Sequence, residues 1–124
     1  MKQIESNDLP APVGPYSHAV AVGDLLFVSG QMGLDPQTGE LAGEGIEAQT
    51  DQVLDNLEKI LKLAGMDWSH VVKVEIYLKN LDDFASVNHL YGKRLSPHKP
   101  ARQTMEVSRL PLDVKVEISC IAHR

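Results

Sequence analysis

The sequence predicts an α+β fold with the order β-β-α-β-α-β-β, two helices lying on one face of a mixed sheet. Three observations predict it. Ile46, Thr50, Val53, Leu57, Ile60 and Ala64 recur at helical spacing, and Leu54 and Leu61 widen the stripe. VVKVEIYLK (71–79) alternates, with Val72, Val74, Ile76 and Leu78 on one side and Lys73, Glu75 and Tyr77 on the other. Between such segments lie short runs of Pro, Gly, Asn and Asp, the residues that turns require.

Taken in order, two β-prone runs, 17–22 and 25–30, flank Gly23-Asp24, whose leading glycine suits a type II′ hairpin turn. LDPQTGELAGEG (34–45) is dense in turn formers and reads as loop. The first helix spans IEAQTDQVLDNLEKILKLAG (46–65). Glu44 and Glu47 near its start and Lys59 and Lys62 near its end complement the helix dipole, and Gly65 stops it. After the strand at 71–79, NLDDFASVNHLYGKRL (80–95) predicts a second helix, capped by Asn80 and turning Phe84, Val87, Tyr91 and Leu95 inward. Pro97 and Pro100 end it. Two last strands, about 101–107 and 113–122, are joined through SRLPLD. A sheet covered by helices on one face leaves the other without cover inside the chain, so that face is polar or meets another subunit.

Bulk properties narrow the function. A length of 124 residues fits one domain, 1–124, and 43% hydrophobic with 23% charged residues is the composition of a globular protein. The chain holds no eighteen-residue apolar run, and its start lacks the marks of a signal or transit peptide. One cysteine, Cys120, forms no internal disulfide and reads as a small buried hydrophobe. These features predict a cytoplasmic protein away from membranes. Seventeen acidic and twelve basic residues give a net charge of −5 with the cations scattered, which speaks against nucleic acid as partner. His18, His70, His89, His98 and His123 show no metal-binding spacing, and no phosphate-cradling glycine motif is present. An enzyme of this sequence is expected to work with no metal and no bound cofactor.

HKPARQTMEV raises the sharpest question, because a strand opens there with an arginine. With the last two strands paired as a hairpin centred between Arg109 and Leu110, Met105 faces Val114, Ala101 faces Ile118 and Val107 meets Leu112. The other face then pairs Thr104 with Lys115, Glu106 with Asp113 and Arg102 with Glu117. That face is the uncovered one. Two readings stay open on spacing alone. Arg102 and Glu117 form an exposed cross-strand ion pair worth about 0–1 kcal/mol, or Arg102 clamps a ligand carboxylate while Glu117 handles a proton.

Several blocks together, VGPYSHAV, LFVSGQMGLDPQTGE, VNHLYG, HKPAR and EVSRLPLDVKVEI, resemble the Rid/YjgF family, the reactive intermediate (enamine/imine) deaminases. The likeness runs from about Pro10 to Ala122. It implies a chorismate-mutase-like subunit assembled as a homotrimer with ligand clefts between neighbours. It also implies cofactor-free hydrolysis of 2-aminoacrylate, 2-iminobutanoate or 2-iminopropanoate, released by pyridoxal-phosphate enzymes, to 2-keto acids and ammonia.

Carried over by position, the resemblance makes Arg102 the carboxylate-binding arginine and Glu117 the water-positioning glutamate. Tyr16, Ser29, Gly30 and Asn88 match cleft-lining residues. Where the family often has Ser-Cys after the arginine, this chain has Gln103-Thr104, so Thr104 lines the cleft without a thiol and Gln103 bears on substrate range. Without the family, Tyr16 packs a turn, Ser29-Gly30 ends a strand and Asn88 is a solvated helix residue. Two other functions stay open: a non-catalytic regulatory protein that binds small carboxylates, and the endoribonuclease or translation-inhibitor activity ascribed to some relatives.

Overall fold

The computed structural model describes residues 1–124. Its strands are β1 (Lys2–Ile4), β2 (Ala19–Val22), β3 (Leu25–Met32), β4 (Val71–Leu78), β5 (Ala101–Glu106) and β6 (Val116–His123), and its helices are α1 (Ile46–Leu63) and α2 (Phe84–Leu95). The predicted α+β order is present, with β1 as an addition that the short, polar start of the chain did not signal. The strands form one mixed sheet ordered β1-β2-β3-β6-β4-β5.

Local chemistry explains most element boundaries. At the β2–β3 turn Gly23 takes φ +57° and Val22 opposes Leu25, as a two-residue turn led by glycine requires. Gly65, at φ +73°, follows the C-cap residue Ala64 of α1 and stops the helix. Asn80 caps a short 3₁₀ turn, Leu81–Asp83, that feeds directly into α2.

Both helices bury their apolar stripes on one sheet face. Leu54, Leu57, Ile60 and Leu61 of α1 and Val87 and Leu95 of α2 join Leu26, Val74, Ile76, Leu78, Ile118 and Ala122 in one cluster. Each fully buried Leu, Ile or Val side chain among them contributes about 1.5–3 kcal/mol. Cys120 lies within the cluster, and burial pushes its thiol up to about 12, so it is an inert packing residue.

Two polar residues on the buried stripe of α1 hold the loop that the turn-forming composition predicts. The amide of Asn56 donates to the carbonyls of Met32 (3.3 Å) and Leu34 (3.0 Å), and Gln52 donates to its Oδ1. Gln49 donates to the carbonyl of Gly43 (3.1 Å) and accepts from the backbone of Lys115 (2.9 Å). Loop 33–45 and the approach to β6 are thereby tied to one helix, with their backbone groups satisfied.

The pairing of the last two strands corrects the sequence reading. β5 does not form a hairpin with β6; it pairs parallel with β4 at the sheet edge, placing Ala101 beside Lys73, Arg102 beside Val74, Thr104 beside Ile76 and Met105 beside Tyr77. β6 lies between β3 and β4, with Glu117 opposite Tyr77 and Met32. The predicted pairs Arg102–Glu117, Thr104–Lys115, Glu106–Asp113, Met105–Val114, Ala101–Ile118 and Val107–Leu112 are therefore absent. The cause is the path of the chain. A strand reached through a helical crossover returns parallel to the strand before it, and residues 107–115 are long enough to pass over β4. Their 3₁₀ turn, Pro111–Asp113, holds Leu112 and Asp113 at positive φ. Asp113 then meets Lys79 at 2.7 Å, and Glu106 accepts from the N–H of Leu81 at 2.9 Å.

Two glycines test the packing. A Cβ on Gly33 would lie 2.7 Å from the carbonyl oxygen of Gln49 and 2.8 Å from its Cα, whereas one on Gly92 in α2 meets nothing within 4 Å. Gly33→Ala is expected to lower unfolding stability by about 1–3 kcal/mol, and Gly92→Ala to raise it by about 0.5–1 kcal/mol. Urea midpoints check both.

Candidate functional site

Strand alternation divides the predicted site residues into two groups. Val74, Ile76 and Leu78 of β4 point into the helix-covered core, so Arg102 and Thr104, which stand beside Val74 and Ile76, point to that same face. Val116 and Ile118 of β6 also point into the core, so Glu117 between them points to the helix-free face, as does its neighbour Tyr77. Within one chain, Arg102 and Glu117 stand on opposite faces with β4 between their strands. The intrachain ion pair is excluded, and so is the placement of Arg102 on the uncovered face.

The first group gathers at the sheet edge under α2. The guanidinium carbon of Arg102 lies 5.0 Å from the ring centroid of Tyr91 and 5.6 Å from that of Phe84. Four ion pairs form in the chain (Lys62–Glu58, His70–Asp67, Lys79–Asp113 and Arg94–Asp55), and Arg102 takes part in none. A half-buried guanidinium held only by aromatic faces keeps its fork of N–H donors free for a planar acceptor. Thr104 adds a shielded hydroxyl with no partner in the chain, and the buried hydroxyl of Tyr91 is likewise unpaired. Asn88, half-buried, sits four residues after Phe84 and three before Tyr91, on the same helical stripe.

Phe84 was expected to point into the core; instead it is exposed at the helix end and packs on Arg102. Gln103 faces away from this group, beside Glu75 on the helix-free face. The backbone from Ser96 to Pro100 completes a cavity of about 300 Å³ next to Arg102 and Tyr91.

The second group forms around a bulge in β3. Val28 opposes Cys120 and Gln31 opposes Ile118, so Ser29 and Gly30 hold one residue more than the facing stretch of β6. The carboxyl of Glu117 packs over Gly30 so closely that a Cβ there would come 2.8 Å from its Cδ. Ser29 donates its hydroxyl to the carbonyl of Ser17 at 2.7 Å, joining this bulge to the segment that carries Tyr16. Tyr16 and Gly30 line one shallow pocket with Pro10 and His18, and the Tyr16 hydroxyl accepts from the N–H of Val13.

Burial pushes the Glu117 carboxyl above its ordinary range. Close by, Tyr77 donates its hydroxyl to Glu75, and this bond, with burial and the negative charges of Glu75 and Glu117, raises the Tyr77 phenol. Spacing alone did not reveal Glu75 and Tyr77 as neighbours of Glu117, because that requires the β4–β6 register.

The arrangement therefore offers two candidate half-sites: a free guanidinium with a hydroxyl on one face, and a half-buried carboxyl beside a glycine bulge on the other. No group of three His, Cys, Asp or Glu side chains is placed to hold a metal, and no helix is long and apolar enough to cross a membrane.

Residues 6–124 match the endoribonuclease L-PSP family. The chain is similar to the chloroplastic Reactive Intermediate Deaminase A of Arabidopsis thaliana, at 47% identity over 119 residues, 96% of this chain and 64% of that protein. The structure of RidA from the Antarctic bacterium Psychrobacter sp. PAMC 21119 superposes with a TM-score of 0.97 at 41% identity and covers all of both chains. The structure of E. coli TdcF with bound serine superposes with a TM-score of 0.94 at 35% identity, covering 100% of this chain and 99% of that one.

The burial of Glu117 carries a consequence for stability. A carboxyl whose folded pKa is raised stabilises the fold at low pH, where both states are protonated, and loses that contribution as pH rises through the folded value. Glu117→Gln, which cannot ionise, is expected to gain stability relative to the wild type as pH is raised from about 4 to 7. Paired urea melts across that range check it. A gap between the two proteins that does not change with pH would refute the buried, ionisable state.

Proposed function

The chain belongs to the endoribonuclease L-PSP family, the Rid/YjgF proteins, and from that premise we propose that it is a deaminase of 2-aminoacrylate, 2-iminobutanoate and 2-iminopropanoate. The observation that carries this reading is the Arg102 guanidinium, half-buried, seated on aromatic rings and without an acidic partner in its own chain. Such a group fits a small planar carboxylate, the feature these substrates share. The serine bound by TdcF is also a small molecule with a carboxylate, which supports the same assignment.

Because the two halves face apart, the proposed site takes Arg102, Thr104 and Asn88 from one subunit and Glu117, Gly30, Ser29 and Tyr16 from its neighbour in a homotrimer. Val22, Leu25, Phe27 and Val72 are large apolar residues exposed on or beside the helix-free sheet face, and subunit contact there would remove them from water.

In this site the enamine tautomerises to an imine, whose carbon accepts a pair of electrons from water. Glu117 takes a proton from the attacking water as the C–O bond forms, the C=N pair moves to nitrogen, and Glu117 returns that proton to the nitrogen. Glu117 then carries the hydroxyl proton of the resulting carbinolamine to the same nitrogen as the C=O bond forms and the C–N bond breaks, releasing ammonia and the 2-keto acid. A carboxylate of raised pKa is a stronger proton acceptor than a solvated one, and such acid–base help is worth about 10²–10⁴-fold. The carboxylate clamp at Arg102 fixes the imine carbon relative to that water.

A regulatory protein that binds small carboxylates without turnover is the second reading, favoured by the ligand-bound relative. Calorimetric binding of 2-ketobutyrate with no keto-acid release from imines would favour it. The endoribonuclease reading draws on the family description, and the net charge of −5 weighs against it. RNA cleavage by purified protein, lost on mutating a residue of the site, would revive it.

Keto-acid release from freshly generated 2-aminoacrylate tests the deaminase. Glu117→Ala is expected to lose about 10²–10⁴-fold in kcat, and Arg102→Ala to raise KM by about tenfold to a hundredfold. A one-to-one mixture of the two variant chains, refolded together, is expected to recover about a quarter of the wild-type activity, since random assembly pairs an intact Arg102 with a neighbour's intact Glu117 at one site in four. A folded Arg102→Ala protein with full activity would end the assignment, and a mixture with no recovery would end the shared site.

A further inference from the structure

We infer that Tyr91, assisted by Phe84, is a positioning residue: the two rings form an aromatic seat that holds the Arg102 guanidinium ready for its ligand. The inference rests on the reading of Arg102 as the carboxylate-binding group. Arginine loses much side-chain freedom when it binds, and that cost falls when the free protein already holds the side chain in place. An acidic partner would hold Arg102 but occupy its fork. Aromatic faces hold the cation through the ring quadrupole and leave the N–H groups at its edges unused.

The geometry meets this requirement from two sides. Tyr91 and Phe84 lie two helical turns apart on α2, and both rings fall within 6 Å of the guanidinium carbon. Tyr91 is 9% exposed and fixed in the core between Val87 and Leu95, whereas Phe84 lies at the open end of the helix. The buried ring is therefore the rigid part of the seat. Its hydroxyl has no hydrogen-bond partner within the chain, so the contribution of Tyr91 comes from its face. Thr104 lies on the same face of β5 as Arg102, two residues on.

Four variants separate this role from a structural one: Arg102→Ala, Tyr91→Phe, Tyr91→Leu and Phe84→Leu. Each is titrated with 2-ketobutyrate by calorimetry and assayed for kcat and KM with freshly generated 2-aminoacrylate. Tyr91→Leu is expected to weaken 2-ketobutyrate binding and raise KM by about tenfold with kcat held within about twofold. Phe84→Leu changes both in the same direction by less, and Tyr91→Phe, which keeps the ring, matches the wild type. Should Tyr91→Leu fail to fold, Phe84→Leu at the exposed end of the seat carries the comparison. Wild-type binding by both leucine variants, alongside loss of binding in Arg102→Ala, would overturn the seat while leaving the carboxylate site intact. Undiminished binding by Arg102→Ala would instead remove the carboxylate reading. In that case ligand-free NMR still decides the seat: the Arg102 side-chain protons are expected upfield, shielded by the rings, in wild type and Tyr91→Phe, and unshifted resonances in the wild type would end it.

Discussion

Side-chain alternation along β4 is the constraint on which the rest of this molecule depends. Because β4 touches β5 on one edge and β6 on the other, each of its residues assigns a face to one neighbour on either side. Val74 sends Arg102 to the helix-covered face, and Tyr77 sends Glu117 to the bare one. The apolar half of β4 is buried beneath both helices, so a slip of one residue would expose it and is strongly disfavoured. The separation of arginine from glutamate is thus fixed by the same energy that forms the core.

Much of this was legible in the sequence. The α1 stripe, the Gly23 turn and the Gly65 stop each have a local cause, and each appears where that cause puts it. The strand at 71–79 appears as well, but a register shift at its start buries Val71 and turns Val72 outward, so Val72 does not share the core face of Val74, Ile76 and Leu78. The pairing of β5 was not read correctly, because a hairpin and a crossover return present the same alternating pattern; only the path of the chain distinguishes them. Two signals were available. A strand that follows a strand and a helix returns parallel to the first, which fits β4-α2-β5. The hairpin register also forced Glu106 against Asp113, and that like-charge pair was a sign of error. In the folded chain each acid has its own partner, Leu81 N–H for Glu106 and Lys79 for Asp113. Phe84 was misplaced for a different reason: helical spacing gives its stripe but not where the sheet beneath the helix ends.

The polar residues buried in α1 show how loop and site are connected. Asn56 and Gln49 place side-chain amides in a mostly apolar stripe, and a core built for packing alone would exclude them. Their amides satisfy carbonyls from the segment that follows β3, and Gln49 also receives the N–H of Lys115, one residue before β6 begins. The bulge at Ser29-Gly30 and the strand bearing Glu117 are thereby braced by a single helix. Glu117 lies over Gly30 so closely that any side chain there would meet its carboxyl.

Had Arg102 and Glu117 faced each other across a hairpin, the ion pair would have satisfied both and left little for a ligand. The guanidinium fork would be filled, and the nearby positive charge would lower the carboxyl rather than let burial raise it. On opposite faces each group keeps its unmet demand: the arginine lacks an anion, and the glutamate is raised by desolvation with no cation to offset it. A half-buried charge without a partner costs stability, and a chain that carries two of them in fixed places has binding capacity stored on both faces. The proposed substrate, a small carboxylate with an electrophilic carbon, would answer the first demand and give the second a proton to move. The fold therefore separates two complementary groups within one chain, and in the proposed site an anionic ligand held between copies of the chain brings them to bear on the same atoms.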